Sequence, residues 1–268
     1  MSTENGAMPN SASSSNGTPA ATQRSSTRRQ KHLLLAATGS VATIKIPLII
    51  QALSSHVEAG RLAIRVILTN NAAHFLAGQS AEQPTVESLS SLPGVEAVYA
   101  DDAVEWGGAG WTRGADILHI ELRRWADVLL VAPLSANSLA KIVNGICDNL
   151  FTSVCRAWDT DGAVDGAGEV QGDKRTRKRI IVAPAMNTAM WRHPVTAKQM
   201  RVLGEEWGVR VDESTGEETG WFEVLLPQSA KALACGDVGS GAMMEWSEIV
   251  KVAEARLGLM QTGNGEGT

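Results

Sequence analysis

The residues able to do chemistry in this chain sit just past the ends of short apolar runs. Residues 180 to 191 read Ile-Ile-Val-Ala-Pro-Ala-Met-Asn-Thr-Ala-Met-Trp. Apolar residues lead to a proline that cannot continue a ladder, and then to Asn187 and Thr188, where a helix can begin. The run from Val128 to Pro133 has the same form and empties into Leu134-Ser135-Ala136-Asn137-Ser138. A third turn, Thr38-Gly39-Ser40-Val41-Ala42-Thr43, follows Leu33 to Ala37, and a fourth, Thr69-Asn70-Asn71, follows Ile64 to Leu68. Small residues let the backbone approach a ligand closely, and Ser or Thr hydroxyls at a helix N-terminus suit a phosphate. Neither the G-x-G-x-x-G fingerprint nor the P-loop lysine pattern is present, so the turns alone do not say which phosphate they would hold.

These turns need a scaffold that brings strand ends together. Continuous apolar runs at 33–37, 64–68, 128–133 and 180–183 suit strands buried on both faces, and they alternate with helical stretches at about 43–58, 72–76, 135–144, 149–158, 194–208 and 245–257. Gly145 is placed to end the helix at 135–144 as a left-handed terminator. The predicted fold is α/β: a doubly wound, Rossmann- or flavodoxin-like parallel sheet in one three-layer α/β/α domain. In such sheets ligands collect outside the strand carboxyl ends. The two Ala-Pro strand ends, at Pro133 and Pro184, are expected side by side.

The domain is expected to span 31–258. Residues 1–30 are rich in Ser, Thr, Asn and Gly and read as a disordered tail, and 259–268 as a flexible one. Residues 159–178 and 212–223 read as surface insertions, and Val224 to Leu226 as an edge strand. The basic cluster Lys174 to Arg179 fits a solvated loop, with a nuclear localisation signal or an anion patch as alternatives. A glycine-rich loop from Glu105 to Gly114 carries Trp106 and Trp111 and could cover a site.

Composition narrows the partners. With 24 Lys plus Arg against 29 Asp plus Glu, the net charge of -5 gives no bulk attraction to nucleic acid, and the tryptophans are too scattered to form a stacking stripe. No run approaches the roughly 18 apolar residues of a membrane span. Cys147, Cys155 and Cys235 form no C-x-x-C pair, which argues against a disulfide framework or zinc site and for a reducing, cytoplasmic setting, with the nucleus as a second compartment. A small-molecule partner, no metal, no nucleic acid and no membrane are expected.

Taken in order, five motifs resemble one family, the flavin-containing cysteine decarboxylases, and within it the eukaryotic phosphopantothenoylcysteine decarboxylases. Gly39-Ser40-Val41-Ala42 is similar to the family's first phosphate loop, and Leu118 to Asp127 to its histidine segment. Ala132 to Asn137 is similar to its flavin-binding turn, Pro184 to Trp191 to its substrate motif, and Ala234-Cys235-Gly236-Asp237 to its cysteine loop. The resemblance covers about 31–258. It implies FMN as cofactor, 4′-phosphopantothenoylcysteine as substrate, and 4′-phosphopantetheine and carbon dioxide as products, a step of coenzyme A synthesis. Direct loss of carbon dioxide would leave a carbanion without an electron sink. The family's route oxidises the thiol to a thioaldehyde, decarboxylates it to an ene-thiolate, and then reduces that species.

The resemblance also implies roles. His119 matches the catalytic histidine; an imidazole can serve as base near neutrality, although nothing local distinguishes this one from the other histidines. Asn187 would hold the substrate carboxylate through a neutral amide, its alternative being a helix cap. Cys235 would supply the final proton: a thiol of pKa about 8.5 is mostly protonated at pH 7, and Asp237 beside it would disfavour the thiolate further. FMN would meet Gly39, Ser40, Val41, Ala42, Thr69, Asn70, Asn71, Ser135, Ala136, Asn137, Ser138 and Ala185. Met190 and Ala234 would join Asn187 at the substrate, and Met186 and Met190 would either underlie the flavin or fill the core. Family members are trimers with sites between subunits, so a homotrimer, or a heterotrimer with a paralogue, is expected. The insertions, and Ala232 where some relatives carry a basic residue, depart from the compact plant form. A catalytically idle relative that regulates a protein phosphatase is the alternative function.

Overall fold

The structure is a computed structural model that describes residues 29–78, 83–100, 112–165, 177–228, 231–232 and 238–260. In chain order the strands are β1 (Lys31–Ala37), β2 (Leu62–Leu68), β3 (Val95–Ala100), β4 (Val128–Leu134), β5 (Arg179–Pro184), β6 (Arg210–Val211), β7 (Glu218–Thr219), β8 (Phe222–Val224), β9 (Lys231–Ala232) and β10 (Val238–Gly239). Between them run α1 (Ile46–Ala52), α2 (Ser54–Glu58), α3 (Asn70–Ala73), α4 (Val86–Leu89), α5 (Leu118–Trp125), α6 (Ala136–Val143), α7 (Leu150–Arg156), α8 (Thr188–Arg192), α9 (Pro194–Arg201) and α10 (Trp246–Leu257). A 3-10 turn, Val41–Lys45, precedes α1.

Six strands form one sheet in the order β3-β2-β1-β4-β5-β8, with every pair parallel. The order reverses between β1 and β4, which makes that crevice the topological switch point. Successive side chains on a strand point to opposite faces, and the core divides accordingly. Leu33, Leu35, Leu130 and Ile181 pack with Ile46, Ile50, Ile249 and Ala253 under α1 and α10. Leu34, Leu129, Val131 and Ile180 pack with Leu122, Leu139, Phe151 and Leu203 under α5, α6, α7 and the turn after α9. Burial on both faces is why these strands read as unbroken apolar runs.

The expected neighbours Pro133 and Pro184 do lie on adjacent strands, with Leu134 in register with Pro184. Gly145 ends the α6 segment at φ 70. The sheet's edge strand begins at Phe222, ahead of the expected Val224, because the backbone of Ile180 to Val182 pairs with Phe222 to Val224. The chain before it makes a small antiparallel ribbon of β6 and β7, anchored to the sheet by Arg179, which pairs with both Glu218 and Glu223. The stretch from 159 is held at its start by a buried cluster, in which Asp165 accepts from Arg123 at 2.9 Å and from Lys178 at 3.2 Å. The loop from Glu105 through Trp111, and Lys174 to Thr176 of the basic cluster, lie outside the described residues; Lys178 and Arg179 do not form the expected solvated loop, since Lys178 is held by Asp165 and Arg179 lies in β5.

Candidate functional site

Four turns at one edge of the sheet share a construction. After β1, β2, β4 and β5 comes a residue in extended conformation whose side-chain oxygen accepts a backbone N–H from the next helical turn. Ser40 Oγ accepts from Ala42 at 3.4 Å, Thr69 Oγ1 from Ala72 at 3.2 Å, Ser135 Oγ from Ser138 at 3.3 Å, and Asn187 Oδ1 from Met190 at 2.9 Å. Each cap satisfies one N–H that the helix cannot, while the rest of the first turn remains directed at the strand ends. That edge therefore favours negative charge without a cluster of cations.

All four turns contribute to a cavity of about 450 Å³, the one after β2 through Asn71 alone. One wall is polar and small: Gly39, Ser40, Ala42, Asn71, Ser135 and Asn137, with Ala136 and Ala185 beside them. The other is apolar and sulfur-rich: Met186, Met190, Met243, Met244 and Trp246. Val41, exposed, and Asn187 also line it. Lys45 and Glu245 are the charged members of the lining among the described residues.

Gly39 shows how closely this wall is built. A Cβ placed there would lie 2.7 Å from Asn71 Cβ, so the first and second turns touch where no side chain intervenes. At Gly241, φ is +110 and a Cβ would meet the Met186 carbonyl oxygen at 2.6 Å; the Met186 N–H donates to the Gly241 carbonyl at 3.0 Å. The segment after β10 is thereby seated against the Asn187 turn.

Asn187 combines the two readings its sequence left open. The Met190 N–H is a donor, so the amide oxygen must face it, which leaves the Asn187 NH2 as the group available to a ligand. Ser135 and Ser138 are both buried; the Ser135 hydroxyl donates to that of Ser138 at 3.3 Å, so Ser138 supports the turn from beneath and does not line the cavity. Thr69 and Asn70 do not line it either: Thr69 is buried and capping α3, and of that turn only Asn71 reaches the cavity.

His119 is in the first turn of α5, half-buried and outside the cavity lining. Its helix runs over the α6 and α7 face and returns to the amino end of the sheet, where Asp127 N–H meets the His32 carbonyl at 2.9 Å. Cys235 and Ala234 lie outside the described residues. Of the other thiols, burial pushes Cys155 far above the ordinary range, and Cys147 is exposed away from the cavity.

Sequence reading missed Lys45 and the wall formed by Met243, Met244, Glu245 and Trp246. Lys45 carried a signal, since it ends the turn that Ser40 begins. The Met and Trp wall carried none, because it joins the cavity only when the chain after β10 folds back over Met186.

The polar wall fits a flavin mononucleotide. A glycine contact that any side chain would block, hydroxyl and amide groups at helix starts, and an apolar wall opposite suit a phosphate and ribityl chain joined to a flat ring system. Among the described residues no group of three or more His, Cys, Asp or Glu could hold a metal ion, and no helix is long and apolar enough to cross a membrane.

Residues 21–258 match the Flavoprotein family, and the chain belongs to it. Within that family it is 38% identical, over 87% of its length and 90% of the relative's, to a mouse protein named phosphopantothenoylcysteine decarboxylase. It is also 37% identical to the "Coenzyme A biosynthesis protein 3" of Saccharomyces cerevisiae, covering 88% of this chain and only 35% of that longer protein. Among solved structures, that of "the FMN binding protein AtHal3" superposes with a TM-score of 0.59 at 35% identity, over 87% of this chain and all of the other.

Proposed function

We propose that this chain is a carboxy-lyase that uses FMN to convert 4′-phosphopantothenoylcysteine into 4′-phosphopantetheine and carbon dioxide, a step of coenzyme A synthesis. The observation that carries the reading is a cavity that unites flavin-fitting polar residues with Asn187, in a chain 38% identical to the mouse decarboxylase. Gly39 to Ala42, Asn71, Ser135 to Asn137 and Ala185 would hold the cofactor. FMN would supply a two-electron acceptor for the cysteinyl carbon and later return the same electrons.

The protein's share is binding, orientation and proton transfer. Lys45, exposed on the cavity lining and without a hydrogen-bond or ion-pair partner among the described residues, offers a mobile positive charge to an anionic substrate. The Asn187 NH2 donates to the substrate carboxylate. A neutral donor orients that group yet does not stabilise its charge as strongly as a cation would, which leaves the loss of carbon dioxide less opposed. His119 takes the thiol proton when the substrate is oxidised to a thioaldehyde. The sulfur then accepts the electron pair left by departing carbon dioxide, which a saturated carbon could not delocalise. The Cys235 thiol delivers the last proton to carbon. Because His119 stands apart from its own cavity, we assign it to the cavity of a neighbouring subunit in a trimer. A cytoplasmic setting keeps Cys235 reduced.

The test is to purify the protein, record its visible spectrum and supply phosphopantothenoylcysteine to wild type and to His119→Asn and Cys235→Ser variants. A yellow wild type that releases carbon dioxide is expected, with Cys235→Ser accumulating the oxidised, decarboxylated intermediate. Mixed trimers of the two inactive variants should regain activity, since some sites would then combine an intact His119 with an intact Cys235. A colourless protein, or one that releases no carbon dioxide, overturns the reading.

A further inference from the structure

Thr38 does not itself line the cavity, yet it joins two of the turns that do. It is fully buried. Its hydroxyl donates to the Pro133 carbonyl at 2.9 Å and accepts the Ser135 N–H at 2.7 Å, so a single oxygen bonds the backbone on both sides of Leu134. Its own N–H donates to the same Pro133 carbonyl at 3.1 Å, and its carbonyl accepts from Thr43 Oγ1 at 3.1 Å.

The location matters because, past the ladder, a single main-chain hydrogen bond, Thr38 N–H to the Pro133 carbonyl, links the two turns among the described residues. The β1–β4 ladder runs from Leu33 with Val128 to Ala36 with Val131 and goes no further. Beyond it the Ser135 N–H, in a residue only 6% exposed, would be a buried donor without a partner if Thr38 lost its hydroxyl. Ser135 in turn caps α6 and contacts Ser138, so its position sets that of Ala136 and Asn137. On the other side, Thr43 ties the 3-10 turn that follows Ser40 to the Thr38 carbonyl.

We propose that Thr38 is a positioning residue for the cofactor: its hydroxyl fixes the Ser135 to Asn137 turn relative to the Gly39 to Ala42 turn, and thereby sets FMN affinity. The assignment rests on the reading of the cavity as a flavin site. Its functional group is the hydroxyl, and the threonine methyl is incidental. Thr38→Val keeps the shape and removes the hydroxyl; Thr38→Ser does the reverse.

The experiment titrates FMN with apoprotein and follows the quenching of flavin fluorescence, with urea unfolding of each apoprotein alongside. Thr38→Val is expected to raise the FMN dissociation constant at least about tenfold, equivalent to about 1.4 kcal/mol. Thr38→Ser should stay within about threefold of wild type. A folded Thr38→Val that binds FMN as wild type does, with only its unfolding midpoint lowered, overturns the proposal and leaves Thr38 a purely structural residue. Should Thr38→Val not fold, Thr38→Ser still decides: a tenfold loss of affinity with the hydroxyl in place overturns it, and near-wild-type affinity supports it. If wild type itself does not bind FMN, it is the flavin reading of the cavity that fails.

Discussion

Gly39→Ala tests the contact on which the polar wall is built. Gly39 is not among the glycines with positive φ, so an alanine is acceptable to the backbone and the cost is steric alone. The new Cβ would lie 2.7 Å from Asn71 Cβ, and the turns must part by about 0.7 Å to reach the 3.4 Å of ordinary contact. Both neighbours are main-chain-anchored Cβ atoms, which cannot swing aside like the end of a long side chain. Overpacking of this kind costs about 1–3 kcal/mol. Loss of glycine's freedom in the unfolded chain returns about 0.4–1 kcal/mol, which at the middle of both ranges leaves a net destabilisation of about 1.3 kcal/mol. Asn71→Gly removes the atom that is struck, at about 1 kcal/mol or less for a glycine in the short helix α3. In the double variant the alanine meets no Cβ, so adding it to Asn71→Gly should be neutral or stabilising. Urea unfolding of the four apoproteins gives the coupling energy, expected at about 1 kcal/mol or more. Gly39→Ala within about 0.5 kcal/mol of wild type, or simple additivity in the double variant, would refute the contact argument.

Two further outcomes follow from the site and the sheet edge. Asn187→Asp keeps an oxygen for the Met190 N–H at the start of α8, so urea unfolding should match wild type within about 0.5 kcal/mol. The same change removes the NH2 donor and sets a charge against the substrate carboxylate, so kcat/KM should fall about tenfold to a hundredfold, and unchanged kinetics would remove Asn187 from substrate binding. At Glu223, burial alone would raise the carboxyl, but Arg256 and Arg179 outweigh it and hold it below its ordinary value of 4.5. A depressed folded pKa means that the stabilisation is complete above the unfolded value and is lost as pH falls through the folded one. Glu223→Gln should therefore lower the urea midpoint at neutral pH, with the gap to wild type closing below about pH 4.5; a gap that persists into the acid limb contradicts the pairing.

The parallel sheet was legible in the sequence because burial on both faces demands it: Leu33 to Ala37 and Val128 to Val131 have no polar alternation to offer a solvent face. The turns were legible because a helix start needs a capping oxygen, and Ser40, Thr69, Ser135 and Asn187 all supply one. Which capping turns also face a ligand was not, because every cap has the same local pattern. Thr69, Ser135 and Ser138 all spend their hydroxyls within their own turns, yet of these only Ser135, with Asn71, lines the cavity, and only the packing of β1 between β2 and β4 separates these cases. Lys45 was within reach of sequence reading, at the end of the 3-10 turn that Ser40 caps.

Local residue order, then, determined the strands, the caps and the five motifs, since each depends on side-chain period or on neighbours within a few positions. Tertiary structure alone decided that Met243, Met244 and Trp246 face Ser135 and Asn137 across one cavity, that Thr38 closes the gap where the β1–β4 ladder ends, and that His119 stands outside its own chain's cavity. Those relations join residues about one hundred positions apart. They follow from strand order and from backbone hydrogen bonds such as Met186 to Gly241, which no local pattern encodes.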